Sequence, residues 1–267
     1  MRVLTNNNMI DELEQMRNCD GKKIVDNIRH LFFIVEMMTE NFNDFKNACH
    51  SIVDERNAIK TQPKSEKEKE KTYCQFARPF YNTIETYYAV TQHFAVIKNQ
   101  NKSNTKFTAE YDKKWKENNL SSDETKFLNG MRSYIVHFQI PILTIRTAIF
   151  PCGQDTLFLL SKTTLLGFSG WTTQAKKFIK NYYIKTKPIK MPRCNQCEYS
   201  KLNAVGVVQC DGIYKECEDI EIAPIVERVV NNAIHFYNWL IMELANEYKD
   251  KISEYQSLIE QWNKSIS

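Results

Sequence analysis

The sequence predicts an all-α protein, a helical bundle of long antiparallel helices that carries two small β-hairpin insertions. Apolar residues recur in alternating steps of three and four over long stretches, which lines them along one face of a helix. Glycine and proline number seven each, too few for the many turns of an all-β fold. Lys, Glu and Leu favour helix on balance, although the plentiful Asn and Ile are weaker helix formers. Hydrophobic residues make up 42% of 267, enough for one large core, and no linker or repeat divides the chain. The expected organisation is therefore a single domain over 1–267 with a Cys-containing insertion at about 191–218.

The first stripe runs over 22–60 through Ile24, Ile28, Leu31, Val35, Met38, Phe42, Phe45, Cys49 and Ile52. Its length and regularity suit a core-facing helix and also a helix that pairs with a partner chain. The charge run 60–71, with Pro63, reads as a loop. A second helix is expected over 71–98, where Tyr73, Phe80, Tyr87 and Phe94 recur every seven residues beside Phe76, Val90 and Ile97. The polar stretch 99–121 reads as a loop. A third helix begins at Ser121–Ser122–Asp123–Glu124, with a serine cap and acids in its positive first turn. It continues through Phe127, Leu128, Met131, Ile135 and Phe138 towards Pro141, whose missing N–H should loosen the helix at His137.

Beyond it, the apolar runs inside Asp155–Gly167 predict one small hairpin, and Trp171–Tyr183 a short helix. A second hairpin is expected around Asp211–Gly212, a favoured tight turn. One last helix should run from Ala223 to Trp262.

The net charge of +4 permits contact with RNA or phosphate without demanding it. The N-terminus lacks the apolar core of a signal peptide, and no stretch reaches the ~18–20 apolar residues of a membrane span. The expected location is the cytoplasm, where cysteines stay reduced. The chain has no HExxH, Gly-Lys phosphate loop, GxGxxG or GxSxG, and no His follows a Glu by three positions. The usual metalloprotease, NTPase, dehydrogenase, esterase and helical di-iron readings therefore fall away.

Arg132 and His137 share the third helix, ~7.5 Å apart along its axis and ~140° around it. Metal-free RNA cleavage needs a group that moves the 2′-OH proton and a cation that steadies charge on the phosphate. Histidine suits the first task near neutral pH. Arginine suits the second, with a permanent charge and a fork that fits phosphate. The competing reading is structural, with Arg132 in a salt bridge and His137 packed in the core.

The segment Leu128-Asn129-Gly130-Met131-Arg132-Ser133-Tyr134-Ile135-Val136-His137-Phe138-Gln139-Ile140-Pro141-Ile142 resembles the Arg-polar-Tyr-x-x-His stretch, followed by Leu-Pro-Ile, of HEPN proteins. The order of long helices, motif helix, Leu-rich hairpin, Trp-led short helix and closing helix is similar to one HEPN branch. The resemblance implies a HEPN-like helical bundle and a metal-independent endoribonuclease of toxin or antiviral-defence type. It implies a homodimer whose two motif helices meet to form one site, with Arg132 on the scissile phosphate and His137 as general acid or base. Ser133 stands where the family more often has Asn, Asp or His, and its hydroxyl can still donate a hydrogen bond. The alternative is the same fold without catalysis, binding RNA or a partner protein such as an antitoxin.

Cys194 and Cys197 form a CxxC, followed by Cys210 and Cys217, which suggests a structural zinc. In an extended strand, Cys217 would stand ~23 Å from Cys210, so all four meet at one ion only if the strand folds back. A redox CxxC would need a strand-then-helix context that is missing here. Cys19, Cys49, Cys74 and Cys152 fit the core.

Overall fold

The computed structural model describes residues 14–58, 65–141, 143–150, 153–182, 189–190, 207–208 and 219–266. It is mostly helical, with one small three-stranded antiparallel sheet and a two-residue strand pair. Helix α1 spans Asp20–Ala58 and α2 spans Glu66–Gln100. They run antiparallel: Asn27 near the start of α1 donates to Gln100 at the end of α2, and Thr83 donates to the Asn41 carbonyl at mid-length. Between them Phe45 meets Phe76 and Phe80 at ring distances of 5.4 and 5.9 Å. The stripe of α1 is therefore consumed inside its own chain. Leu31, Val35, Met38, Phe42, Phe45 and Ile52 are buried, and Ile24 and Ile28 at its start are partly buried.

Helix α2 begins inside the charge run expected to be a loop. Ser65 accepts from the Glu68 N–H, and the Glu68 carboxylate accepts from the Ser65 N–H at 2.8 Å, a reciprocal cap that starts the helix at Glu66. The predicted loop 99–121 likewise contains a helix, α3, Thr105–Glu117. Asn104 caps it at 3.0 Å, and Phe107, Tyr111 and Trp115 stand four apart on its inner face. Three large aromatics outweigh the surrounding polarity, which hid the stripe.

Helix α4 is Asp123–His137, capped by Ser122 through the Thr125 N–H. It packs against α2 and against the later helical segments Thr173–Asn181 and Ala223–Glu247. The expected hairpin lies one run earlier in the chain. Strand β1, Leu143–Phe150, pairs with β2, Gly153–Leu160, setting Leu143 opposite Leu160. The second apolar run is instead a one-turn helix, α5, Lys162–Leu166, because the Ser161 hydroxyl caps it. The short helix expected next is α6, Thr173–Asn181, capped by Thr172.

The short strands β3, Ile189–Lys190, and β4, Val207–Val208, pair with each other. Strand β5, Ile220–Glu221, adds to the other edge of β2. The hairpin turn expected at Asp211–Gly212 lies outside the described residues. The described strands on either side of it, β4 and β5, take other partners.

The final helix is not one rod. It breaks at Tyr248 into α7, Ala223–Glu247, and α8, Lys249–Ile266. The Tyr248 hydroxyl donates to Asn101 beyond the end of α2, and α8 lies along the start of α1. Gly21 permits that approach, since a Cβ there would overlap the Lys251 carbonyl.

Most of the buried hydrophobic side chains among the described residues form one continuous cluster. Cys49 belongs to it, and burial pushes its thiol up to about 12. Cys74 does not: it is exposed, because it falls between the buried positions Thr72 and Phe76 on the outward side of α2. Cys19 is only partly buried, and Cys152 lies outside the described residues. No described helix is long and apolar enough to cross a membrane.

Candidate active site on the fourth helix

Helix α4 is fixed by its apolar side. Phe127, Leu128, Met131 and Tyr134 are buried. Trp171 stacks against Phe127 and Tyr134 at 5.6 and 5.7 Å, and its indole N–H donates to the Leu165 carbonyl at 2.6 Å. Gly130 is what lets the indole lie flat on the helix, since a Cβ there would stand 2.7 Å from two indole carbons. Gly130→Ala sets a helix-propensity gain of ~1 kcal/mol against overpacking of ~1–3 kcal/mol. The indole is held on three sides and cannot give, so overpacking wins. The variant should melt below the wild type in a thermal scan, and a higher melting temperature would contradict this packing.

The helix ends at His137, where Pro141 was expected to loosen it. The N–H groups of Phe138 and Gln139 both turn to the Tyr134 carbonyl, at 3.0 and 3.2 Å. Pro141 is buried, and its carbonyl accepts from the Tyr73 hydroxyl at 3.2 Å, which pins the outgoing chain to α2.

The structural reading of the motif holds for Arg132 and not for His137. Arg132 does make a salt bridge: its Nε donates to Glu85 Oε2 at 3.2 Å. Its guanidinium carbon also lies 4.8 Å from the centre of the Tyr88 ring. The Nη groups make no hydrogen bond to a described residue, and the side chain stays 34% exposed. His137 is not a core histidine. It is exposed and forms no hydrogen bond or ion pair with a described residue. Ser133, beside Arg132, is partly buried, and its hydroxyl also has no described partner. Val136, Phe138 and Ile140 around His137 are exposed as well.

Glu85, Tyr88 and Tyr81 were not singled out by the sequence reading. They stand on one face of α2, beside the buried line of Phe80, Ile84 and Tyr87. A signal was present, because Glu85 is the only acidic residue between Glu70 and Glu110. Glu85 Oε1 is buried without a hydrogen-bond partner among the described residues, and so is Asn129 Oδ1, one turn before Arg132. The Tyr81 phenol is held above its usual range, first by desolvation and then by the Glu85 charge.

Cys194, Cys197, Cys210 and Cys217 lie outside the described residues. Among the described residues no group of three or more His, Cys, Asp or Glu could hold a metal ion. Comparison of the chain with protein-family models, with curated proteins and with solved structures finds no match.

Proposed function

We propose that this protein is a metal-independent endoribonuclease of the HEPN toxin or antiviral-defence type, acting from the Arg132–His137 segment of α4. The observation that supports the reading is the state of the two side chains. Arg132 is anchored through Nε while its Nη edge engages no described residue, and His137, five residues on, is exposed without a partner among the described residues. In the proposed reaction His137 takes the proton of a ribose 2′-OH, whose oxygen attacks the adjacent phosphorus. The bond from phosphorus to the 5′-oxygen breaks, and the leaving oxygen takes a proton from the second histidine of a homodimer. Arg132 faces the non-bridging oxygens as they gain charge, and Ser133 donates a further hydrogen bond. Structural zinc on Cys194, Cys197, Cys210 and Cys217 is a separate proposal and takes no part in this chemistry.

The Glu85 ion pair favours a second reading, because it already occupies part of Arg132. In that reading the same helical module binds RNA or a partner such as an antitoxin and does not cut.

Incubation with single-stranded RNA and with DNA of the same sequence separates the two. Cleavage of RNA alone is expected, leaving 2′,3′-cyclic phosphate ends and unaffected by chelators. RNA bound but left intact supports the second reading. The mass in solution should be that of a dimer, and a strict monomer at high micromolar concentration would remove the composite site.

A further inference from the structure

We infer that Glu85 is a positioning residue, which with Tyr88 holds the Arg132 guanidinium so that its Nη fork meets a phosphate; this rests on the ribonuclease reading above. Arginine offers five N–H donors in one plane on a long flexible stem. Two contacts from α2 restrain that group. Glu85 Oε2 takes Nε at 3.2 Å, and the Tyr88 ring lies 4.8 Å from the guanidinium carbon. With Nε engaged, the edge that remains is the Nη1–Nη2 pair, the edge that grips two phosphate oxygens at once. Glu85 Oε1 is buried without a close hydrogen-bond partner among the described residues, and the Tyr81 phenol stands near enough to feel the Glu85 charge. The arrangement is that of a preorganised cation, whose orientation is set before substrate arrives.

The Glu85 charge also opposes a phosphate, so the sign of its effect needs deciding. The pair is partly exposed, at 34% for Arg132 and 28% for Glu85, and solvent screens that repulsion. Misplacing a catalytic group by ~1 Å can cost about 10²-fold in rate. Positioning therefore outweighs repulsion.

The test compares wild type, Glu85→Ala, Glu85→Gln, Arg132→Ala and the Glu85→Ala/Arg132→Ala double variant. Each is measured for single-turnover cleavage of single-stranded RNA, for affinity to the 2′-O-methyl form of that RNA, and for melting temperature. Glu85→Ala should slow cleavage by about 10²-fold and weaken binding of the 2′-O-methyl RNA. Glu85→Gln, which keeps an acceptor for Nε, should recover most of both. In the Arg132→Ala background Glu85→Ala should cost nothing more, because its effect passes through Arg132. A merely structural role would lower the melting temperature and slow both backgrounds alike, which overturns the inference. Faster cleavage by Glu85→Ala overturns it too, since Glu85 would then be a lock. Wild type that cuts while Glu85→Ala cuts and binds equally well sinks the positioning role alone. Wild type that cuts nothing sinks the ribonuclease reading; the binding data then decide positioning, and absence of RNA binding overturns both.

Discussion

Arg132→Ala and His137→Ala should each leave a folded protein that has lost RNA cleavage. General acid–base catalysis by a placed histidine accounts for ~10²–10⁴-fold in rate, and one group stabilising developing charge for ~10²–10³-fold. Neither change should cost much stability. His137 is exposed without described partners, and such substitutions usually fall within about 0.5 kcal/mol. The Arg132–Glu85 pair is partly exposed, which limits its worth to ~0–1 kcal/mol. The two melting temperatures should therefore stay near wild type while both rates collapse. A folded His137→Ala protein that cuts as fast as wild type would sink the enzyme reading. Thermal melting and cleavage measured on one preparation make the comparison direct.

Phe236→Ala should produce the largest loss of stability. Phe236 is fully buried on α7, with Phe94 of α2 at 4.9 Å and Tyr111 and Trp115 of α3 at 5.0 and 5.3 Å. One ring thus joins three helices, and edge-on contacts of this kind add to plain burial. Truncating such a residue costs ~3–5 kcal/mol, a large part of the ~5–15 kcal/mol that holds a typical domain together. At ~2–4 °C per kcal/mol for a large domain, the melting temperature should fall by about 6–20 °C. Two-state unfolding in urea is the check, and a loss below ~1 kcal/mol would mean that the three helices are not joined there.

Where sequence and structure agree, the signal was local. The α1 stripe, the α2 aromatics and the Ser122 cap each lie within a few turns of the backbone they organise. Where they part, a local rule met a stronger contact. The 99–121 stretch was read from its polarity, but Phe107, Tyr111 and Trp115 carry it into the core. Strand β1 went unread because Thr144, Arg146 and Thr147 mask it, and its partner β2 defines it. The break at Tyr248 has no breaker residue, and the tyrosine instead reaches to Asn101.

By itself the sequence determined that most of this chain is helix, where α1, α2 and α4 lie, and that Arg132 and His137 share the last two turns of α4. These follow from periodicity, capping and the proline at 141, all of which act within a few residues. Only the tertiary structure decided that the α1 stripe is covered by α2 and that His137 is exposed. It also decided that Arg132 meets Glu85 and Tyr88, which stand 47 and 44 positions earlier in the chain. The reason is physical. A helix face is fixed by its own spacing, but which face meets which depends on how several apolar surfaces fill one core together.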